Sequence, residues 1–336
     1  MSKTIIIAEA GVNHNGSLLK AKKLIDIASR SGADIVKFQT FRAENLVTKT
    51  IKKAKYQQQM TGKYESQYSM LKKIELKEAF HSKLIKYCKT KKIEFLSTAF
   101  DIEGLEFLKT FKLKRIKIPS GEITNYPYLK KIAQFKKETI ISTGMSNLRE
   151  VKNAINVLKQ NGLDKNLIKV MHCTTEYPAP MNEINLNVIL SMKKELGLEI
   201  GYSDHTLGIE APIAAVAMGA KIIEKHITIN KNLPGPDQKA SLEEKELKQM
   251  ILAIRNIENA MGDGIKNPSK SEIKNINIVR KFIVAKKVIV KGDIFSDINL
   301  TTKRCGGGIS PMLWKNIIGK KSKNNFKKDQ IIKIEK

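Results

Sequence analysis

Three cysteines in 336 residues, Cys88, Cys173 and Cys305, lie far apart and never in a CxxC spacing. They exclude a disulfide framework and read as reduced thiols in a cytoplasm. Long apolar runs are missing too: none approaches the ~18–20 residues of a membrane helix. The opening Met1-Ser2-Lys3-Thr4, followed by Ile5-Ile6-Ile7, has neither the apolar stretch nor the small-residue cleavage site of a signal peptide. A cytoplasmic protein that binds no membrane is expected. Arginine is scarce: seven stand against 54 lysines, within a formal charge of +28. The lysines spread over solvent positions of apparent helices, as in Lys20-Ala21-Lys22-Lys23 and Lys52-Lys53-Ala54-Lys55. They form no localised basic stripe with aromatic partners, so a nucleic-acid-binding protein is only a rival reading. An attraction for anionic small molecules is open. With 41% hydrophobic and 28% charged residues, wholesale disorder is excluded.

What is present repeats. Short runs rich in Ile, Val and Phe recur at Ile5–Ala8, Ile35–Phe38, Ile93–Leu96, Arg115–Ile118, Thr139–Ile141, Ile168–Met171, Leu198–Gly201 and Lys221–Glu224. Helical stretches with apolar residues three and four apart include Leu18–Ser31, Lys77–Lys91, Leu148–Asn161 and Glu210–Met218, with Leu242–Met261 after the last run. Continuous rather than alternating apolarity is the mark of strands covered on both faces, hence parallel. Eight β/α units in about 260 residues are the arithmetic of an α/β (β/α)8 TIM barrel. A doubly wound open sheet is the alternative, because strand number does not prove closure.

After Met261-Gly262-Asp263-Gly264 the pattern changes. Residues 263–280, including Pro268-Ser269-Lys270-Ser271, read as a polar linker between a barrel domain at 1–262 and a small β-rich domain at 281–336. The small domain has short runs at Phe282–Ala285, Lys287–Val290, Leu300–Lys303 and Ile331–Ile334, and a short helix around Pro311–Ile317. Some 55 residues approach the lower limit for an independent core, so support from its own barrel or from a second subunit is expected.

In such a barrel, catalytic groups sit at the C-terminal ends of the strands. Those ends carry Glu9, Lys37 with Gln39, Ser97-Thr98, Lys117 with Ser120 and Glu122, Ser142-Thr143, His172-Cys173, Ser203-Asp204-His205 and Glu224-Lys225-His226. His205 and His226 end successive strands, so their imidazoles can converge on one divalent ion; a rim hydrogen bond is the other reading of either. For His172 a substrate contact or a supporting contact is expected, for His14 a substrate contact or a helix cap, for His81 a solvated helix face. Lys37 and Lys117 inside a barrel demand an anion or loss of a proton. With Thr98, Ser120 and Ser142 they make a cradle for phosphate and carboxylate; a Schiff-base aldolase is the rival chemistry. Cys173 as a nucleophile beside His172 is disfavoured, because adjacent strand residues point to opposite faces.

Ile7-Ala8-Glu9-Ala10-Gly11-Val12-Asn13-His14-Asn15-Gly16-Ser17, Val36-Lys37-Phe38-Gln39-Thr40, Ile118-Pro119-Ser120-Gly121-Glu122, Ser142-Thr143-Gly144-Met145, His172-Cys173-Thr174-Thr175-Glu176-Tyr177-Pro178, Tyr202-Ser203-Asp204-His205-Thr206 and Glu224-Lys225-His226 together resemble the sialic acid synthase family. Thr302-Lys303-Arg304-Cys305-Gly306-Gly307-Gly308-Ile309-Ser310-Pro311 resembles that family's antifreeze-like (SAF) domain. The match runs in order and nearly end to end.

The resemblance implies condensation of phosphoenolpyruvate with an open-chain N-acylated amino sugar. The enol C3 attacks the aldehyde, water quenches the cation at C2, and phosphate leaves. It implies a divalent ion, Mn²⁺ or Mg²⁺, at His205 and His226, and an acid/base role for Glu122. Lys37, Thr98, Lys117, Ser120, Ser142 and Ser203 match positions that hold phosphoenolpyruvate; Glu9, Gln39, Tyr177 and Asp237 match positions on the sugar. Thr174-Thr175 stand in a stretch where family members often carry an Asn that contacts phosphoenolpyruvate, which makes Thr175 the expected contact here, and Cys305-Gly306-Gly307 stand where they are often Pro-rich. A domain-swapped homodimer is implied, with Arg304 reaching the partner's sugar. N-acetylmannosamine is the first expectation for the acceptor, giving N-acetylneuraminate. The alternative is 2,4-diacetamido-2,4,6-trideoxymannose, giving N,N'-diacetyllegionaminate.

Overall fold

The computed structural model describes residues 3–333, in two compact units, Met1–Met261 and Gly262–Lys336. The first holds eight parallel strands: β1 (Ile5–Gly11), β2 (Ile35–Thr40), β3 (Glu94–Ala99), β4 (Arg115–Ile118), β5 (Glu138–Ser142), β6 (Ile168–Cys173), β7 (Glu199–Asp204) and β8 (Ile222–His226). Their order is β3-β2-β1-β8-β7-β6-β5-β4. The first strand therefore pairs with the last, and every other ladder joins strands consecutive in sequence. β3 and β4 lie side by side across the remaining seam. This is the winding of a (β/α)8 barrel and not of a doubly wound sheet, whose edges stay open.

Period-two alternation sorts the barrel interior into layers. Glu94, Arg115 and Glu138 form an ionic floor, with Arg115 Nε 2.9 Å from Glu94 Oε1 and Nη1 2.8 Å from Glu138 Oε1. Two residues further along their strands, Leu96 and Ile140 join Ile7, Ile35, Met171 and Ile222 in a buried apolar plug. Burying each such side chain contributes roughly 1.5–3 kcal/mol. Two residues further again, the strands deliver Glu9, Lys37, Thr98, Ser142, Cys173 and Glu224. The apolar plug thus separates the ionic floor from the polar layer at the C-terminal rim.

Helices close the outside through caps legible in sequence. Ser17 accepts from Lys20 N to start the helix Leu18–Ser31, and Gly32 ends it at φ 85°, a conformation without penalty for glycine. The helix Glu78–Thr90 carries His81, which is fully buried rather than solvated. Its Nε2 lies 2.8 Å from Thr40 Oγ1, and Phe107 meets it edge-on with ring centroids 4.9 Å apart. Lys53 is likewise buried and not a solvent position. Among the described residues no helix is long and apolar enough to cross a membrane.

The second unit begins with a helix, Lys270–Val279, inside the stretch expected as a linker; Ser269 and Glu272 form its capping box. Strands β9 (Phe282–Ala285) and β10 (Leu300–Lys303) pair antiparallel. They cover a core of Ile283, Ala285, Ile289, Phe295, Leu300, Ile317, Phe326 and Ile332. The run Lys287–Val290 contributes a single bridge, Ile289 to Phe326, rather than a strand. In the expected strand Ile331–Ile334, Ile331 bridges Val284, and Ile334 lies outside the described residues.

Candidate active site

A cavity of about 330 Å³ opens at the C-terminal ends of the barrel strands, within the size range of small-ligand sites. Its floor is a buried quartet of charges. Lys37 Nζ lies 2.8 Å from Glu9 Oε2 and 3.5 Å from Glu224 Oε1. Lys117 Nζ lies 3.7 Å from Glu224 Oε2. Hydroxyls complete the floor: Lys37 donates to Thr98 Oγ1 at 3.2 Å, Lys117 to Ser142 Oγ at 2.5 Å, and Ser203 to Glu224 Oε1 at 3.2 Å. Gln39 Nε2 donates to Glu9 Oε1 at 3.1 Å.

The quartet balances two positive against two negative charges, as buried ions require. Burial opposes the charge on Lys37, but Glu224 and Glu9 outweigh it and hold the ammonium above its ordinary value. Lys117 falls below its ordinary value through burial that Glu224 only partly offsets. Glu224 sits low because Lys117 and Lys37 overcome its burial; Glu9 sits high because burial, with the charge of Glu224, prevails over Lys37 and Gln39. The sequence puts Glu224 at the end of its strand but assigns it no role. Its place two residues beyond the apolar plug residue Ile222 was the signal.

The opposite wall is imidazole and aromatic. His205 and His226 have ring centroids 5.4 Å apart. His205 Nδ1 donates to Thr174 O at 2.6 Å, so Nε2 is the nitrogen left for another partner. His226 Nδ1 is buried without a hydrogen-bond partner, with Asp237 Oδ2 at 3.9 Å. Burial, then the neighbouring cations His205 and Lys37, hold His226 well below its ordinary value and so neutral. His205 stays above its ordinary value, Cys173 outweighing its burial. Burial raises the Asp237 carboxyl to about 7 against the pull of His205. Tyr177 stacks on His205 at 4.0 Å and meets His226 edge-on at 5.6 Å. Gly144 gives the rim its close fit, since a Cβ there would collide with Thr175 Oγ1 and come within 2.8 Å of Ser120 Oγ.

The cavity wall therefore includes Glu9, Lys37, Gln39, Thr98, Lys117, Ser120, Ser142, Thr175, Tyr177, Ser203, His205, His226 and Asp237. Glu122 stands apart. It lies half-buried on the turn Ser120–Glu122, where its Oε2 accepts from Asn125 Nδ2 at 2.6 Å, and it stays off the wall that its turn neighbours Ser120 and Gly121 reach. Arg304 follows β10 in the second unit and is exposed. His172 turns outward, bonding Ile184 O at 2.6 Å, because its neighbour Cys173 takes the inward position, 3.9 Å from His205 Nδ1. His14 neither reaches this wall nor caps a helix side chain to backbone. It is fully buried, with Nδ1 accepting from Gly16 N at 3.0 Å. An apolar side of the cavity, with Val12, Phe41, Leu46, Val47, Met70 and Leu71, belongs to a satellite cluster under the rim loops.

The NeuB family model matches residues 24–266, and the SAF domain model residues 280–336. The N,N'-diacetyllegionaminic acid synthase of Campylobacter jejuni is 57% identical over 333 residues, 99% of this chain and 100% of that protein. The protein of the same name from Legionella pneumophila is 47% identical over 324 residues, 96% of this chain and 91% of that one. Among solved structures, the N-acetylneuraminic acid (sialic acid) synthetase of Leptospira borgpetersenii superposes with a TM-score of 0.72 at 32% identity, over 82% of this chain and 90% of that chain.

Proposed function

The chain belongs to the NeuB family and carries a SAF domain; from that premise we propose that it condenses phosphoenolpyruvate with 2,4-diacetamido-2,4,6-trideoxymannose and water, giving N,N'-diacetyllegionaminate and phosphate. The observation that carries the chemistry is the buried Lys37/Lys117 pair, set among hydroxyls beneath the imidazoles of His205 and His226. Two ammonium groups in a cavity of low dielectric hold a phosphate and a carboxylate far more strongly than they would in water. The enol C3 then forms its bond to the sugar aldehyde, water adds at C2, and phosphate leaves with its bridging oxygen. Glu122 keeps the acid/base role as a rim residue. Burial holds its carboxyl above its ordinary value, the direction that favours a general acid keeping its proton.

N-acetylmannosamine gives way as the expected acceptor, because relatives at 57% and 47% identity are both named for diacetyllegionaminic acid. The apolar side of the cavity suits that choice, offering burial to the 6-methyl and to a second acetamido methyl. Each buried methyl is worth about 0.8 kcal/mol.

A divalent ion, Mn²⁺ or Mg²⁺, fits His205 and His226, because the buried Nδ1 of His226 has no partner and His205 keeps Nε2 unengaged. Among the described residues no cluster of three or more His, Cys, Asp or Glu groups is arranged for a metal, which leaves the remaining positions to substrate and water. When bound there, such an ion supplies Lewis acidity toward a carbonyl. The chain's own residues meanwhile orient the acceptor through Glu9, Gln39 and Tyr177. The proposal includes a domain-swapped homodimer in which Arg304 of the partner subunit serves the acceptor.

The test is to incubate purified protein with Mn²⁺, phosphoenolpyruvate and each amino sugar in turn. The expected result is phosphate release that needs sugar and is fastest with the diacetamido sugar, with a nine-carbon 2-keto acid of matching mass. Release without sugar, or faster turnover of N-acetylmannosamine, overturns the respective part of the proposal.

A further inference from the structure

Between β2 and the helix Glu78–Thr90 the chain makes a long excursion, and the short helix Lys55–Thr61 within it brings Tyr56 and Gln57 to the cavity wall. Its sequence, Lys55-Tyr56-Gln57-Gln58-Gln59-Met60-Thr61, is mostly polar, so apolar packing does not explain why it stays there. A buried lysine does. The Lys53 side chain is 1% exposed, and its Nζ donates to Thr61 Oγ1 at 2.9 Å and to Thr61 O at 3.4 Å. The Lys53 carbonyl accepts from Gln58 Nε2 at 2.7 Å. Gln57 Oε1 accepts from Ala54 N and from Gln67 Nε2, both at 3.0 Å. Both ends of the short helix are thereby tied to one buried ammonium and one buried amide, which rigidifies the segment because breaking either leaves unsatisfied buried groups.

The ring held in this way is placed to act on the acceptor. Tyr56 and Tyr177 have centroids 5.1 Å apart, and Tyr177 in turn stacks on His205. Gln57 Nε2 donates to the Tyr56 hydroxyl at 3.3 Å, fixing the ring's polar tip. Phe41, Met70 and Leu71 line the same cavity. We propose that Tyr56, held by the Lys53 staple, sets selectivity for the acceptor's substituents, favouring acetamido and methyl groups over free hydroxyls. The face of the ring, beside Phe41, Met70 and Leu71, offers a hydroxyl no partner for the water it gives up, whereas methyl groups gain contact. The inference rests on the reaction proposed above.

The experiment is steady-state kinetics of Tyr56→Ala, Tyr56→Phe and Lys53→Met with the diacetamido sugar and with N-acetylmannosamine, at varied phosphoenolpyruvate. Losing a stacked aromatic is expected to raise the KM for the diacetamido sugar up to about tenfold in Tyr56→Ala. The KM for phosphoenolpyruvate stays within about twofold, and the preference over N-acetylmannosamine narrows. Tyr56→Phe keeps the wild-type acceptor KM, because it keeps the ring. Lys53→Met repeats the acceptor effect and opens Lys55 and Lys63 to trypsin. An unchanged acceptor KM in Tyr56→Ala, or equal loss toward both substrates, overturns the inference while leaving the reaction standing. Wild-type protein that turns over no amino sugar removes the reaction and the inference with it.

Discussion

Replacing Glu224 by Gln keeps its shape and removes one charge from the buried quartet. Lys37 retains Glu9 at 2.8 Å, but Lys117 loses the carboxylate at 3.7 Å that was its ion-pair partner among the described residues. Breaking a buried pair on one side costs about 3–5 kcal/mol. The cost is capped because Lys117 can shed its proton. From an ordinary value of 10.5, neutralising it at pH 8 costs about 2.5 × 1.36, or ~3.4 kcal/mol. The variant is therefore expected to be less stable by about 3 kcal/mol at pH 8. The unfolded chain then binds one proton more than the folded one, so the deficit shrinks as pH rises, to about 1.4 kcal/mol at pH 9.5. At 2–4 °C per kcal/mol for a barrel-sized unit, thermal melting should show Tm lowered by roughly 6–12 °C at pH 8 and by less than half of that at pH 9.5. A Tm within about 2 °C of wild type at pH 8, or a deficit that does not shrink with pH, would falsify the view that Glu224 is the counter-charge of the lysine pair.

Three further outcomes are expected. Burial lowers the His14 imidazole to about 4, so its contribution is complete above the unfolded value of about 6.5 and is lost as pH falls, by about 3 kcal/mol at pH 4. Urea melts at pH 7 and 4.5 should therefore show a smaller acid loss in His14→Gln than in wild type, and equal losses would refute it. Chelator-treated protein should lose turnover and regain it with Mn²⁺, whereas His226→Ala should stay folded by circular dichroism and not regain it; full activity after chelation ends the metal assignment. Borohydride added during turnover should trap no adduct on Lys37, which Glu224 and Glu9 keep protonated, and none on Lys117; a trapped adduct on either would establish the aldolase chemistry instead.

The barrel was legible because parallel strands buried on both faces leave continuous apolar runs, and the rim because polar residues end each of them. What period-two reading adds is depth. Ile222 to Glu224 and Met171 to Cys173 are single steps from plug to cavity, and counting them would have singled out Glu224. His81 was misread although it stands three residues before Leu84 and seven before Cys88, on the buried stripe of its helix. Lys53 was not legible. Its burial arises from a loop folding back on itself, with Thr61 eight residues away, and no periodicity records such a closure. Glu122 marks a different limit, since a motif names a residue whereas a local bond to Asn125 decides where its carboxylate points.

In the proposed reaction water adds at C2 of an enol phosphate held by Lys37 and Lys117, which leaves all four phosphate oxygens drawn from phosphoenolpyruvate. Turnover in ¹⁸O-enriched water, followed by mass analysis of the released phosphate, reads this directly. Unlabelled phosphate is the predicted result; phosphate carrying one ¹⁸O would mean that water attacks phosphorus and would contradict the account.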